Sequence, residues 1–220
     1  MSSMLDIVPD PRDTMIETPA TMLINKGFQR KRETDDRLPP GQYREYDFPV
    51  LSLGPTPKVG TAEWKLDVDG LVAKKLSWTW DEFNALPQEN VVKDIHCVTK
   101  WSKFDTAWSG VSIDTIIELA GVDESATHLI AYSYDGYSTN LPIEDVRNGK
   151  AMVALRYDNA AIEAEHGGPA RLLVPHLYFW KSAKWVNRLS FTDHDDPGFW
   201  EIRGYHNYGD PWKEQRYSFD

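Results

Sequence analysis

The chain contains a single cysteine, Cys97, in 220 residues. One thiol can form neither an intramolecular disulfide nor a Cys-x-x-Cys metal or redox pair. The fold must therefore be stabilised by a buried core, which a chain of this length is able to form. Cys97 itself has two interpretations. It is either a small buried apolar residue or a lone thiolate that ligates a metal or acts as a nucleophile.

The overall composition narrows the class of protein. Nine tryptophans and a hydrophobic fraction of 41% are typical of a globular domain. The formal net charge of −10 argues against nucleic acid or an anionic membrane as the main partner. No run approaches 18 apolar residues, so no membrane insertion is expected. The first 20 residues lack the apolar stretch of a secretory signal, and together with the single cysteine this predicts a cytoplasmic protein.

Sequence periodicity predicts a mixture of strands and short helices. Residues 64–69 alternate between apolar and polar side chains, as a half-buried strand does. Thr79 and Glu82 form a capping-box pattern before a short helix, and Ser112 and Gly121 flank a second helix as its N-cap and C-terminal glycine. No regular alternation of strand and helix is present, which indicates an α+β fold. Further strands are predicted at 91–98, 128–134, 152–157, 171–174 and 186–191, with a short helix at 142–148.

The first 45 residues differ from the rest of the chain. They are polar, rich in proline and charge, and contain the helix-breaking run Pro39-Pro40-Gly41. We expect residues 1–45 to form an extended N-terminal arm and residues 46–220 to form one domain with a C-terminal tail.

Two segments that follow Cys97 carry cationic side chains. The first reads His166-Gly167-Gly168-Pro169-Ala170-Arg171, and the second reads Lys181-Ser182-Ala183-Lys184-Trp185. An arginine can bind two oxygens of an anion at once, and a lysine acts as a point charge. In an acidic protein this local cluster predicts a phosphate or oxyanion site. The alternative is that the two lysines lie on a solvated face.

Cys97 followed by these two segments resembles the molybdenum-cofactor domain of the sulfite oxidase family. The similarity runs from about Phe48 to Phe191 and is greatest to short members related to the catalytic subunit of periplasmic methionine sulfoxide reductase. It implies the sulfite-oxidase molybdopterin-binding fold and a molybdenum-molybdopterin cofactor (Mo-MPT), with Cys97 as the protein ligand of the metal. It also implies that the cofactor phosphate is bound by Arg171, Lys181, Ser182 and Lys184. His166 would lie close to the pterin, because Gly167 and Gly168 let the backbone approach the cofactor.

The same resemblance suggests which residues surround the metal. Trp101 would form a wall of the pocket. The triplet Lys100-Trp101-Ser102 stands where sulfite oxidases carry Asn-Arg-Arg, so the two arginines suited to an oxyanion substrate are missing and Lys100 is the remaining cation. Tyr137 would lie near the mouth and donate a hydrogen bond, although Asp135-Gly136-Tyr137 also reads as an ordinary turn. His96 would contact the cofactor or serve as a structural histidine.

The resemblance implies two-electron oxygen-atom transfer, most simply the reduction of an S-oxide or N-oxide. The alternatives are a sulfite-type oxidation, or a non-catalytic anion-binding module in which Cys97 is inert and buried. The sequence has no Cys-x-x-Cys-His haem motif and no Gly-x-Gly-x-x-Gly dinucleotide motif. We therefore expect electrons to be exchanged with a separate partner. The sequence also lacks the C-terminal dimerisation domain of full sulfite oxidases, so the resemblance implies a monomer that acts on a small-molecule substrate.

Overall fold

Two β-sheets form the framework of the protein, in a computed structural model that describes residues 35–220. The first sheet has the order β1-β5-β8-β10, with β4 on β5 and β9 on β8; the second has the order β3-β2-β11-β6-β7. The strands are β1 (Tyr43–Arg44), β2 (Lys65–Gly70), β3 (Leu76–Thr79), β4 (Glu89–His96), β5 (Trp101–Ser112), β6 (His128–Ser133), β7 (Ser138–Pro142), β8 (Met152–Tyr157), β9 (Ala160–Ala161), β10 (Arg171–Leu173) and β11 (Val186–Thr192).

Within residues 35–220 there are two α-helices, which are short and lie close to the predicted positions. They are α1 (Trp80–Asn84) and α2 (Ile113–Ala120). The Thr79 N–H donates to the Glu82 carboxylate at 2.8 Å, as a capping box requires. Ser112 caps α2 by accepting from the Thr115 N–H, and Gly121 ends it in the left-handed conformation. The α+β prediction is confirmed, although the helix predicted at 142–148 is only a 3₁₀ turn at Ile143–Asp145.

The longest strand, β5, was not predicted from the sequence, which indicated an irregular loop after Cys97. It pairs with β1, β4 and β8 and is therefore central to the first sheet. Several of its buried positions hold Ser102, Thr106 and Gly110 rather than large apolar residues. Small and hydroxylated side chains conceal the period-two pattern on which strand prediction relies.

The main core joins both sheets to α2. Leu66 of β2, Val153 of β8 and Ile116 of α2 all belong to one cluster of buried apolar residues. A smaller cluster on the first sheet contains Cys97 and Trp101. Within residues 35–220 we find no helix with the length and apolar character needed to span a membrane.

The predicted N-terminal arm falls mostly outside the described residues. Of its 45 positions, the structure describes residues 35–45, which include β1, and β1 pairs in parallel with the start of β5. Residues 35–220 belong to one compact unit. The extended arm remains a prediction for residues 1–34.

Candidate active site

A cavity of about 380 Å³ lies where several segments distant in sequence converge. This volume is within the range of small-molecule and cofactor sites. The wall is supplied by the turn after β4, the two cationic segments, an irregular segment before β2 and the C-terminal tail. Seven of the predicted site residues line it: Cys97, Trp101, Tyr137, His166, Arg171, Ser182 and Lys184.

Cys97 is positioned by the tight turn that joins β4 to β5. Its N–H donates to the Trp101 carbonyl at 2.8 Å, and its carbonyl accepts from the Lys100 N–H at 3.0 Å. Gln42 donates a side-chain N–H to the same carbonyl. Hydrogen bonds on both sides of the residue fix the Cys97 backbone, so the thiol has a defined position in the cavity wall.

The sulfur of Cys97 is buried and accepts a hydrogen bond from Thr99 Oγ1 at 3.1 Å. Burial raises the pKa of the thiol, against smaller opposing effects from the Thr99 hydroxyl and the Lys184 charge. The free thiol is therefore protonated at neutral pH and a poor nucleophile. Metal coordination would deprotonate it, so its environment favours the ligand interpretation over nucleophilic catalysis.

Trp101 and Lys100 are separated by the structure. Trp101 is buried in the cavity wall, and its indole N–H has no hydrogen-bond partner among the described residues. Lys100 has a positive φ of 77°, which the turn requires, and its side chain is exposed and does not line the cavity. The resemblance suggests a catalytic position for Lys100 near the metal, whereas the structure places its side chain outside the cavity wall.

Arg171 is a fully buried cation in the cavity wall. Its guanidinium donates to the carbonyls of His166 at 2.7 Å and Ser182 at 2.8 Å, and it lies 4.1 Å from the centre of the Phe179 ring. Burial lowers its pKa to about 9, so the group remains charged at neutral pH. Within residues 35–220 no carboxylate forms an ion pair with it. A buried, uncompensated charge is costly, so this site is suited to an anionic ligand.

His166 and Lys184 lie beside Arg171. The His166 ring stacks on Phe48 with centroids 4.0 Å apart, and its Nδ1 is buried without a partner in the described part of the chain. Burial and the charges of Lys184 and Arg171 lower the pKa of His166. Burial lowers the pKa of Lys184 to about 8. These residues provide a neutral imidazole and an ammonium group at one end of the cavity.

The glycines before Arg171 have a different role from the one expected. Gly167 has a φ of 104°, and a Cβ at this position would lie 2.9–3.0 Å from Lys184. At Gly168 a Cβ would lie 1.9 Å from the Ile162 carbonyl oxygen. The glycines therefore allow the turn to pack on protein atoms, whereas the sequence had suggested that they make room for a cofactor.

Ser182 lines the cavity and also fixes the loop that carries it. Its hydroxyl accepts from the Val174 N–H at 2.8 Å, while its carbonyl accepts from Arg171. The side chain is buried. The predicted anion-binding position of Ser182 is compatible with this geometry, since its hydroxyl proton can still be donated to a ligand.

Lys181, the other predicted phosphate ligand, is not part of the cavity. Its fully buried ammonium forms an ion pair with Glu201 at 2.6 Å. It also donates to Asn140 and to the Asn207 carbonyl. The ammonium protons are thus used by protein oxygens, which connect the second cationic segment to the C-terminal tail. Lys181 is a structural cation because its own carboxylate partner is buried with it.

His96 also lies outside the cavity wall. Its Nδ1 is 2.8 Å from the Ser102 hydroxyl, and its ring faces Trp212 of the tail. Burial lowers its pKa to about 4, so the ring is neutral at physiological pH. The structure therefore agrees with the structural interpretation of His96 and gives no support to a direct cofactor contact.

Two tyrosines line the cavity, and only one was predicted. The Tyr137 hydroxyl donates to the Trp180 carbonyl at 2.6 Å, so its single proton is already engaged by protein. Tyr205, from the tail, has no hydrogen-bond partner for its hydroxyl in residues 35–220. Its ring is held between Trp200 and Trp180 at centroid distances of 4.7 and 5.1 Å. The donor role predicted for Tyr137 therefore suits Tyr205 better.

Aromatic residues form much of the remaining wall, and sequence reasoning did not assign them to the site. They come from the segment before β2, the loop before Lys181, the second cationic segment and the tail. The tail carries four aromatic residues between 199 and 208. This local density is the feature of the sequence that could have indicated that the tail belongs to the site. The unpredicted aromatic lining residues are Phe48, Phe179, Trp180, Trp185, Trp200 and Tyr205.

Comparison with protein families identifies the domain. Residues 53–200 match the family described as the oxidoreductase molybdopterin binding domain. The chain belongs to this family. It is therefore an enzyme, and the alternative of a non-catalytic anion-binding module is excluded. The predicted resemblance to the sulfite-oxidase-like molybdenum enzymes is confirmed.

Individual relatives agree with this assignment. The chain is 41% identical to the "uncharacterized oxidoreductase YuiH" of Bacillus subtilis, over 88% of this chain and 98% of that protein. It is 24% identical to the protein-methionine-sulfoxide reductase catalytic subunit MsrP of Campylobacter jejuni, over 80% and 66% of the two chains. The match to MsrP of Gluconobacter oxydans is 26%, over 74% and 59%. The chain thus spans less than two thirds of the two reductase subunits.

A solved structure shows the same fold. The sulfane dehydrogenase SoxCD of Paracoccus pantotrophus matches with a TM-score of 0.59 and 23% identity, over 64% of this chain and 41% of that chain. This match confirms the predicted sulfite-oxidase-like architecture of mixed sheets with few, short helices.

The cavity contains polar groups that fit a molybdopterin. Two buried nitrogen atoms in its wall, Trp101 Nε1 and His166 Nδ1, have no partner in the described chain. The buried Arg171 charge has no carboxylate partner within residues 35–220, and the sequence contains a single thiol that can bind a metal. A phosphorylated, sulfur-bearing cofactor would satisfy the charge and the soft-ligand site together.

The contrast between Lys181 and Arg171 gives a testable prediction. We expect Lys181→Met to lower the free energy of unfolding of the cofactor-free protein by about 3–5 kcal/mol, because Glu201 would be left as an unpaired buried charge. Urea denaturation of the apoprotein measures this. The double variant Lys181→Met/Glu201→Leu should lose less free energy of unfolding than the single variant. A variant that is destabilised only when the cofactor is bound would contradict the structural role.

Proposed function

We propose that the protein is a molybdenum enzyme that transfers an oxygen atom in a two-electron reaction, in the direction of S-oxide reduction. The observation that carries this proposal is the convergence of Cys97 and the uncompensated Arg171 on one aromatic cavity. The names of the MsrP relatives support a sulfoxide as substrate. N-oxides have a similar neutral, dipolar oxygen and remain within the proposal.

Cys97 would ligate the metal, and Arg171, His166, Ser182 and Lys184 would hold the anionic end of the cofactor. When bound, the cofactor supplies a two-electron redox centre at which an oxygen atom is exchanged. The protein's contribution is to orient this group, exclude water and neutralise charge. Burial of Arg171 strengthens its interaction with a phosphate, since a guanidinium in a site of low dielectric has few competing waters.

The wall around Cys97 favours a neutral substrate. Trp101, Trp200 and Tyr205 offer aromatic surface, while the cations of the cavity, Arg171 and Lys184, would serve the cofactor. A dianion such as sulfite would enter without a compensating charge, which is unfavourable in a desolvated pocket. A thioether S-oxide carries an apolar body that can pack against the rings and an oxygen that accepts a hydrogen bond.

Electrons would come from a separate protein or small carrier, because turnover needs a two-electron donor and the sequence has no motif for haem or a dinucleotide. A monomer that works in the cytoplasm also remains a proposal. The cytoplasmic location is supported by the single cysteine, which fits a reducing compartment.

The Cys97→Ser variant tests the metal ligand. We expect activity to fall by more than about 100-fold, the upper range for loss of groups that only support a metal ligand. Molybdenum content and the paramagnetic resonance spectrum of the holoprotein should change, while the circular dichroism spectrum should not. Full activity with an unchanged resonance signal would rule out Cys97 as the ligand.

Tyr205→Phe tests the proposed hydrogen bond to the substrate oxygen. We expect kcat/KM for a sulfoxide to fall roughly 2- to 10-fold, the equivalent of one neutral hydrogen bond. The melting temperature should not change, because the Tyr205 hydroxyl bonds to no described residue. Tyr137→Phe is the matched control and should lower the melting temperature, because it leaves the Trp180 carbonyl unpaired. Equal kcat/KM values for wild type and Tyr205→Phe would contradict the assignment.

Substrate class is tested by steady-state assays in both directions. We expect a methyl sulfoxide with a reduced dye to give a higher kcat/KM than sulfite with an artificial electron acceptor. The physical reason is that Arg171 and Lys184, the cations that line the cavity among residues 35–220, would be occupied by the bound cofactor. A higher value for sulfite would show that the enzyme is of the sulfite-oxidising type.

A further inference from the structure

One side of the cavity is formed by a segment with few hydrogen bonds of its own. Residues 49–53, which we call the strap, have no regular secondary structure. Four of them line the cavity, namely Pro49, Leu51, Ser52 and Leu53. Among residues 35–220, no main-chain hydrogen bond joins residues 47–59 to another main-chain group. Segments of this kind open at low free-energy cost.

The strap is held at two places. At its N-terminal end Phe48 is packed among aromatic rings: it stacks on His166 and lies 5.2 Å from Tyr157 and 6.0 Å from Phe179. At its middle the Lys184 ammonium donates to the Leu51 carbonyl at 2.7 Å and to the Ser52 hydroxyl at 3.3 Å. Phe48 is thus a fixed point, and Lys184 is the polar contact that holds the strap down.

Lys184 also belongs to the cationic end of the cavity. Its third hydrogen bond goes to the Glu165 carbonyl at 2.6 Å, so all three of its ammonium protons are used by protein oxygens. An anion that binds Lys184 must therefore displace at least one of these oxygens. The two strap oxygens are the ones that can leave, because Glu165 lies in the turn that packs directly on Lys184 through Gly167.

The exposed side of the strap is apolar. Val50, Leu51 and Leu53 are 43%, 48% and 55% exposed. Gly54 follows, and a Cβ built at Gly54 would meet no atom within 4 Å. The position does not need glycine for space, and its φ is not in the left-handed region. The glycine therefore contributes freedom of movement at the second end of the strap.

We propose that the strap is the gate through which the molybdopterin cofactor enters the cavity, with Phe48 as its fixed end, Gly54 as its hinge and Lys184 as its latch. The latch is closed on the Leu51 and Ser52 oxygens when no anion is present. Arrival of the cofactor phosphate replaces these oxygens at Lys184 and releases the strap. This proposal rests on the proposed function only in its choice of ligand and not on the reaction catalysed.

The rates of cofactor uptake and release distinguish a latch role of Lys184 from a role as a phosphate ligand alone. In the apoprotein the latch limits opening of the strap, so loss of the latch speeds uptake. Loss of a phosphate contact alone speeds release but not uptake. We expect Lys184→Met to raise both rates by at least about tenfold, the equivalent of one hydrogen bond from a charged donor. Gly54→Ala should slow both rates by about two- to fivefold, because alanine restricts the open strap.

The experiment uses full-length apoprotein and metal-free molybdopterin, with uptake followed by quenching of tryptophan fluorescence and release by pterin fluorescence. Lys75→Met removes a charge at an exposed lysine outside the cavity and is the matched control. A chymotrypsin-type protease provides an independent measurement. Cleavage after Leu51 or Leu53 should be faster in Lys184→Met and slower in Gly54→Ala.

The outcomes distinguish this proposal from the proposed reaction. Faster release of molybdopterin from Lys184→Met without faster uptake overturns the latch, even if the enzyme reduces sulfoxides. Rates that shift as expected support the strap, even if the holoenzyme has no sulfoxide reductase activity. A wild-type apoprotein that takes up no molybdopterin overturns the strap as the route of uptake.

Discussion

The active site is organised by the Arg171 guanidinium and its two carbonyl acceptors. One acceptor lies in the turn at His166 and the other in the loop at Ser182, so one side chain joins the two cationic segments across β10. Carbonyl oxygens stabilise the guanidinium by hydrogen bonding but do not neutralise it. The same contact therefore fixes the local structure and leaves a buried positive charge facing the cavity.

Two buried cations close together in sequence have opposite roles for a simple electrostatic reason. Lys181 is accompanied by the buried carboxylate of Glu201, and the pair contributes to the attachment of the C-terminal tail. Arg171 has no acidic partner in the described chain. The two charges of a buried ion pair neutralise each other, whereas an unpaired buried cation is available to bind an anionic ligand. Attachment of the C-terminal tail and binding of the ligand are thus divided between one cation of each cationic segment.

The aromatic residues of the tail complete the cavity from a distance. Trp200 and Tyr205 are held by stacking on each other, and Trp180 donates its indole N–H to Glu201. The tail is anchored by polar contacts while its rings face the cavity. The strap forms another part of the wall with little hydrogen bonding. The tail's part of the cavity wall is therefore anchored by several polar contacts, whereas the strap is held by the packing of Phe48 and the ammonium group of Lys184.

The sequence by itself determined the types of those elements that have strong local signals, the family, and the main chemical groups of the site. The capping box at Thr79, the N-cap at Ser112 and the alternation near Trp64 act over a few residues, so they can be recognised without tertiary contacts. The family motifs likewise place Cys97 and Arg171 in sequence. Only the tertiary structure decided which of these groups meet, because burial and pairing depend on residues far apart in the chain. Glu201 takes Lys181 out of the site, Trp180 engages the Tyr137 hydroxyl, and the tail brings Tyr205 in. Strand β5 escaped prediction for the same reason: its small inward residues are specified by the neighbouring strands and not by hydrophobicity.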